Sequence, residues 1–142
     1  CSHVSDIVGR NGHVWAIDFA PRPMRDFLDK VTRHRENISP IFGDARNPIE
    51  YKTLVPIIDI IYADVAQPDQ AEIVVKNSKY FLKEKGWLMF SIKSRSINAS
   101  MNPQEIYASQ VKILEKFGFG KKEFIELDPF EKDHAMIIAE FE

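Results

Sequence analysis

The chain has 142 residues, 44% of them hydrophobic and one of them cysteine, so it is long enough for one domain with its own core and too short for two ordinary domains. The formal net charge of −2 excludes a globally basic nucleic-acid-binding surface, and the single cysteine excludes an internal disulfide. No apolar run reaches membrane-spanning length, and no signal peptide is visible.

Extended and helical patterns alternate along the chain. The predicted strands are residues 14–19, 38–42, 57–63, 87–92, 124–127 and 135–141. The predicted helices are residues 2–8, 21–35, 51–55, 68–86 and 102–117. Strands that alternate with helices of 10 to 15 residues predict an α/β fold with a mostly parallel sheet, helices on both faces and an antiparallel final pair of strands. This ending is typical of the methyltransferase variety of the fold.

The predicted strand at residues 57–63 is the reference for placing the other predicted elements. Its apolar run is interrupted only by Asp59, which favours a central strand covered on both faces, because a half-buried strand would alternate. Asp64 follows at the carboxyl end, where open α/β sheets bind their ligands. The next strand ends at Lys93 in the same way.

Five blocks of sequence carry a family resemblance. They are SHVSDIVG (2–9), GDAR (43–46), DVAQP (64–68), IKSRSI (92–97) and EKDHA (131–135). In this order and spacing the chain resembles fibrillarin, the RNA 2′-O-methyltransferase of box C/D ribonucleoproteins, which uses S-adenosylmethionine. The resemblance implies a Rossmann-like methyltransferase fold of the seven-stranded type, with residues 1–142 as one methyltransferase domain.

The resemblance implies a cofactor site. Asp18 stands where the family usually has a glutamate that accepts hydrogen bonds from the ribose diol, and Phe19 would line the adenine. Asp44 and Ala45 match the family's adenine-binding turn. The full set of implied cofactor-binding residues is Asp18, Phe19, Asp44, Ala45, Asp64 and Gln67.

The resemblance also implies catalytic residues. A ribose 2′-hydroxyl is a poor nucleophile at neutral pH, so a positioned base is expected. Lys93 is the candidate base, Asp64 would orient it and the hydroxyl, and His134 would complete the set. A further lysine of the family pattern, the first strand and the glycine-rich cofactor loop would precede Cys1. We therefore expect a fragment that is incomplete at its amino terminus and inactive by itself.

Each candidate also has a purely structural interpretation. Asp64 would cap the following helix, and Lys93 would be an edge residue with a solvated head. Asp18 and Asp44 would be ordinary turn acids, which aspartate favours. His134 would be a structural histidine at the start of a strand.

The implied partners are box C/D guide RNA, the rRNA substrate, a Nop-type scaffold protein and a kink-turn-binding protein, with Lys93, Arg95 and Lys132 as RNA contacts. A eukaryotic source would place the protein in the nucleolus and an archaeal source in the cytoplasm, and residues 65–70 favour the eukaryotic one. Two other functions remain open. The same pocket could methylate a glutamine of a histone, or the chain could bind a scaffold protein without catalysing a reaction.

Overall fold

The structure of the chain is a computed structural model. It describes the backbone of residues 1–142 and the side chains of all of them except residues 121 and 122. The chain forms two compact units, residues 1–55 and residues 56–142. Among the described residues, no helix combines the length and the apolar character needed to cross a bilayer.

The first unit contains two helices and a two-stranded parallel sheet. Its elements are α1 (Ser2–Val8), β1 (Val14–Asp18), α2 (Pro21–Lys30) and β2 (Ile38–Phe42), with short 3₁₀ turns at Thr32–His34 and Pro48–Tyr51. The two strands pair in parallel from Val14 opposite Ile38 to Asp18 opposite Phe42. Both strands therefore deliver their carboxyl ends to the same edge of the sheet.

Side chains from the segment before β2 hold α1 in place. The amide of Asn37 donates to the backbone oxygens of Ser5 and Gly9 at 2.9 and 3.0 Å. The same two oxygens also accept from backbone N–H groups, that of Gly9 for Ser5 and that of Gly12 for Gly9, at 3.2 and 3.3 Å, so Asn37 adds a second hydrogen bond to each at the end of α1. Gly9 follows the helix with φ 68°, a conformation that glycine adopts without steric cost.

The second unit is a four-stranded sheet with helices packed on it. Its elements are β3 (Ile58–Ala63), α3 (Gln70–Phe81), β4 (Leu82–Lys93), α4 (Ser94–Ile97), α5 (Pro103–Lys116), β5 (Phe119–Glu126) and β6 (His134–Phe141). The strand order is β3-β4-β6-β5. β3 and β4 are parallel, whereas β6 is antiparallel to both β4 and β5. The predicted antiparallel ending is confirmed.

One face of this sheet carries the core. Leu88, Phe90 and Ile92 of β4 and the alternate residues Ala135 and Ile137 of β6 are completely buried. The same cluster includes residues of both α3 and α5, namely Ala71, Val74, Val75, Tyr107 and Leu114. Buried and exposed residues alternate from Gly86 to Phe90 in β4, and buried and half-buried residues alternate in β6, as expected from the period of two in a strand.

The prediction that residues 57–63 are covered on both faces is wrong for the described chain. Ile60 is 51% exposed and Tyr62 is 46% exposed. Their partners across the β3–β4 ladder, Trp87 and Met89, are also exposed. β3 lies at one end of its sheet rather than in the middle, so its largely apolar sequence did not indicate two covered faces.

Several element boundaries differ from the predictions. α3 ends at Phe81, and β4 begins at once with Leu82 opposite Ile58, because pairing with β3 overrides the helical propensity of the Lys-Glu-Lys sequence that follows. The helix predicted at residues 51–55 is instead a 3₁₀ turn that begins at Pro48. α2 ends at Lys30, which leaves Arg35 in an extended segment from which it reaches α1.

Candidate active site

The candidate residues fall into two groups, one in each unit, and each group is described by itself. The first group consists of Asp18, Phe19, Asp44 and Ala45. The second group consists of Asp64, Gln67, Lys93 and His134. Gln67 lies in the segment between β3 and α3, and each of the other residues lies within three residues of the end of a strand or at the start of one.

In the first group, two carboxylates lie at the same edge of the β1–β2 sheet. Asp18 is the last residue of β1, and its backbone oxygen accepts a 3.0 Å hydrogen bond from the N–H of Gly43, which precedes Asp44. Oδ1 of Asp18 accepts from the N–H of Ala20 at 2.9 Å, and Oδ1 of Asp44 accepts from the N–H of Arg46 at 2.9 Å. Both acids therefore support turns, as the structural interpretation requires.

The hydrogen bonds within these turns leave Asp18 and Asp44 with lone pairs that can accept hydrogen bonds from a ligand. A carboxylate has two oxygens, each with two lone pairs, and each of these turns uses Oδ1 alone. Asp18 is exposed and Asp44 is half-buried. The two interpretations of Asp18 and Asp44 are thus compatible.

A cavity of about 210 Å³ adjoins Asp18. Its lining residues are Cys1, Ala16, Ile17, Asp18, Pro23, Met24 and Phe27. It offers one carboxylate among apolar walls, and it is smaller than the pockets of about 300–1,000 Å³ that hold whole ligands. This cavity suits one part of a larger molecule, with a hydrogen-bond donor toward Asp18 and an apolar surface toward the walls. Phe19, Asp44 and Ala45 do not line it.

In the second group, Asp64 and Lys93 form an ion pair. Nζ of Lys93 lies 2.9 Å from Oδ1 of Asp64, and the two side chains are 23% and 48% exposed. They meet because β3 and β4 are parallel neighbours, which end at the same edge. Burial raises the pKa of Tyr62, and the charge of Asp64 acts in the same direction.

His134 lies directly opposite Lys93 in the antiparallel β4–β6 ladder. Residues in this relation project on the same side of a sheet with Cβ atoms about 4.5–5.5 Å apart. Nδ1 of His134 lies 2.7 Å from the backbone oxygen of Lys132. A carbonyl oxygen can only accept, so Nδ1 carries the hydrogen and Nε2 of the neutral ring has a lone pair to offer. The structure thus brings together Asp64, Lys93 and His134.

The loop before β6 is fixed to the segment after Lys93. The backbone N–H and the hydroxyl of buried Ser94 both donate to the backbone oxygen of Asp133, at 3.1 and 2.9 Å. Nε of Arg95 donates to the carboxylate of Asp133 at 2.7 Å, and Nη1 of Arg95 donates to the backbone oxygen of Ala99. Arg95 was predicted to contact RNA, but its Nε and Nη1 donate hydrogen bonds within the protein.

Sequence reasoning missed Gln70. This residue is completely buried at the start of α3, and its side-chain amide forms hydrogen bonds with both the N–H and the backbone oxygen of Lys93. The signal that was available is its position on the apolar face of α3, four residues before Val74 and eight before Ser78. A glutamine on such a face needs buried partners for its amide.

Comparison with known proteins identifies the family. The fibrillarin family model matches residues 1–142. The chain belongs to the fibrillarin family. A fibrillarin-like rRNA/tRNA 2′-O-methyltransferase of Staphylothermus marinus is 49% identical over 140 residues, which cover 99% of this chain and 59% of that protein. The chain thus spans about three fifths of the length of this relative.

Solved structures agree with this assignment. The crystal structure of Aeropyrum pernix fibrillarin with natively bound S-adenosyl-L-methionine is 50% identical with a TM-score of 0.87, over 96% of this chain and 59% of that one. The crystal structure of a fibrillarin/Nop5p complex contains a chain that is 37% identical with a TM-score of 0.92, over 97% of this chain and 65% of that one. The fold is therefore the Rossmann-like fold of S-adenosylmethionine-dependent methyltransferases, as predicted.

Proposed function

We propose that this fibrillarin-family chain is part of an S-adenosylmethionine-dependent RNA 2′-O-methyltransferase that modifies ribose 2′-hydroxyls of pre-rRNA under the direction of box C/D guide RNA. The observation that carries the proposal is the Asp64–Lys93 ion pair at the carboxyl ends of adjacent parallel strands, with His134 opposite Lys93. The match of the family model to residues 1–142 supports a single methyltransferase domain made of both units.

The second group supplies what the reaction needs. S-adenosylmethionine would supply an electrophilic methyl group. The Lys93 ammonium donates to a hydroxyl oxygen, the Asp64 carboxylate accepts from a hydroxyl, and Nε2 of His134 accepts a proton. Lys93 acts as the base only in its neutral form, because a protonated amine has no lone pair.

The first group suits the adenosine portion of the cofactor. Asp18 would accept hydrogen bonds from the ribose diol in the cavity lined by Met24 and Phe27. Asp44 would accept from the exocyclic amine of the adenine, and Phe19 and Ala45 would lie along its ring. Asp64 and Gln67 would contact the cofactor from the second group.

The proposed partners are the guide RNA, the rRNA substrate, a Nop-type scaffold and a kink-turn-binding protein. The fibrillarin/Nop5p complex supports the scaffold protein. Lys93, Arg95 and Lys132 would contact the RNA. Because the relatives described above are archaeal, we propose a cytoplasmic enzyme rather than the nucleolar one that residues 65–70 favoured.

The test is transfer of a labelled methyl group by the full-length protein in a reconstituted ribonucleoprotein. Two RNA substrates are compared, which differ only in a 2′-hydroxyl or a 2′-hydrogen at the guided nucleotide. The proposal predicts labelling of the first substrate only. Equal labelling of both would place the methyl group elsewhere on the RNA. Labelling of a glutamine-containing histone peptide in place of RNA would support the protein methyltransferase instead, and no labelling of either would support the scaffold module.

A further inference from the structure

The end of β4 has a side-chain partner where a strand partner is missing. The β3–β4 ladder stops at Ala63 opposite Phe90, whereas β4 continues to Lys93. On its other side Lys93 pairs with His134 of β6. Toward β3, the amide of Gln70 takes the place of a strand residue, since its Nε2 donates to the backbone oxygen of Lys93 at 3.0 Å and its Oε1 accepts from the N–H of Lys93 at 3.1 Å.

Gln70 also belongs to the segment that carries Asp64. The chain leaves β3 at Ala63, passes Asp64 and enters α3 at Gln70. Gln70 is completely buried, and a buried amide held by two hydrogen bonds has little freedom to move. The contact therefore connects the segment that holds the carboxylate to the backbone that holds the ammonium.

We propose that Gln70 is a positioning residue of the methyl-transfer site, which sets the 2.9 Å distance between Asp64 and Lys93 by fixing the backbone of Lys93. This inference rests on the proposed function. Gln70 touches neither the RNA nor the cofactor in this role. It acts through Lys93, because the position of the Lys93 backbone sets the point from which Nζ reaches Asp64.

Two substitutions of Gln70 separate the contributions of its hydrogen bonds. Gln70→Leu keeps a similar volume and removes both bonds. Gln70→Glu retains the acceptor for the N–H of Lys93, but its ionised form cannot donate to the backbone oxygen of Lys93. When protonated, the introduced carboxyl group donates and accepts as the amide does. The ratio of Gln70→Glu activity to wild-type activity should therefore rise as the pH is lowered.

Gln110→Leu is the matched control. Gln110 is also a glutamine on a helix, in α5, and it is 4% exposed. Among the described residues its Oε1 has no hydrogen-bond partner, and its amide nitrogen makes one long contact, 3.5 Å from the hydroxyl of Ser109. A loss of activity that came only from replacing a buried glutamine would appear in this variant too.

The experiment uses the full-length protein in the reconstituted ribonucleoprotein. Single-turnover methyl transfer should fall about 10- to 100-fold in Gln70→Leu, as expected for a small misplacement of reacting groups. Calorimetric affinity for S-adenosylmethionine should stay unchanged, and Gln110→Leu should transfer at the wild-type rate. A folded Gln70→Leu protein that transfers at the wild-type rate would overturn the inference. If Gln70→Leu does not fold, a Gln70→Glu ratio that is independent of pH overturns it.

A second readout does not depend on activity. In wild-type protein the N–H of Lys93 should be protected from hydrogen exchange, and a crystal structure of Gln70→Leu should show Nζ of Lys93 displaced from Asp64. An unchanged separation of 2.9 Å would reject the positioning role even if the wild-type protein proved unable to methylate RNA. Absence of transfer by the wild-type protein, with Lys93 displaced in the variant, would instead count against the proposed function alone.

Discussion

Lys93 pairs with Asp64 at one end of the β3–β4 pair of strands, and Lys83 pairs with Asp59 at the other. The two Nζ–Oδ1 distances are 2.9 and 2.6 Å. The lysine side chains differ in exposure, 23% for Lys93 and 50% for Lys83. The same two strands thus present a candidate catalytic pair and a solvated surface pair of the same chemistry, and the second is a natural control for the first.

Asp18→Asn should weaken cofactor binding without unfolding the protein. The amide oxygen can still accept from the N–H of Ala20, so the turn after β1 is preserved. The charge and the second acceptor oxygen are lost, which costs roughly 1.5–3 kcal/mol for hydrogen bonds to a charged group. Calorimetric titration of S-adenosylmethionine into the full-length protein should therefore show a dissociation constant about 10- to 100-fold higher.

Asp26→Asn is the control for this change. Asp26 lies on α2 and forms an exposed pair with Lys30 at 3.9 Å. Its substitution removes the same charge from the same unit and should leave the dissociation constant unchanged. Equal weakening in both variants would indicate a general effect of charge rather than contact with Asp18.

The Asp6–Arg35 contact predicts a pH dependence of the attachment of α1. The hydrogen bond from Arg35 lowers the pKa of Asp6, and the charges of Arg35 and His3 act in the same direction. The stabilisation is therefore fully present above the unfolded-state pKa of about 3.9 and is lost as the pH falls through the lowered folded value. NMR titration of the Asp6 carboxyl should give a midpoint below the unfolded-state value, and Arg35→Gln should raise it. Equal midpoints would show that the contact does not form in solution.

Gly86→Ala should destabilise the second unit. A Cβ at Gly86 would lie 2.6 Å from Cδ1 of Leu82 and 2.8 Å from the backbone oxygen of Lys83, so Leu82 or the backbone must move. Overpacking of this kind costs about 1–3 kcal/mol. A thermal melt should show a midpoint lower by roughly 2–12 °C.

Gly43→Ala provides the comparison for that melt. The nearest atom to a Cβ at Gly43 would be Cδ1 of Tyr51 at 3.3 Å, a contact that a shift of a few tenths of an ångström relieves. Its midpoint should fall less than that of Gly86→Ala. The reverse order would mean that the close approach of Leu82 and the Lys83 backbone to Gly86 does not exist in solution.

Local sequence signals predicted most of the elements because their causes are local. Asn102 caps α5 by accepting from the N–H of Gln104 at 3.0 Å, and Gly9 follows α1 with a positive φ. The exposed face of β3 and the strand character of residues 82–86 were mispredicted, because both depend on which strands become neighbours. The period of a segment does not contain that information.

For the candidate site too, the sequence predicted the features with local causes and missed those that depend on tertiary pairing. Asp64 and Lys93 were predicted because each stands at the end of a predicted strand. Their ion pair follows from the parallel pairing of β3 and β4. The opposition of Lys93 and His134 depends on the register of an antiparallel ladder, and the hydrogen bonds of Gln70 depend on where α3 begins. Neither could be deduced from spacing along the chain. The individual roles of the site residues remain predictions.

The most direct test of the account compares Lys93→Gln with Lys83→Gln. Both variants are made in the full-length protein and measured by single-turnover methyl transfer to guided RNA, with cofactor affinity determined in parallel. Loss of a group that takes part in proton transfer should slow Lys93→Gln by about 10²- to 10⁴-fold, with cofactor affinity retained. Lys83→Gln should react at the wild-type rate, since exposed ion pairs contribute about 1 kcal/mol or less to stability. Equal rates for the two variants would contradict the assignment of Lys93 and Asp64 to the chemistry.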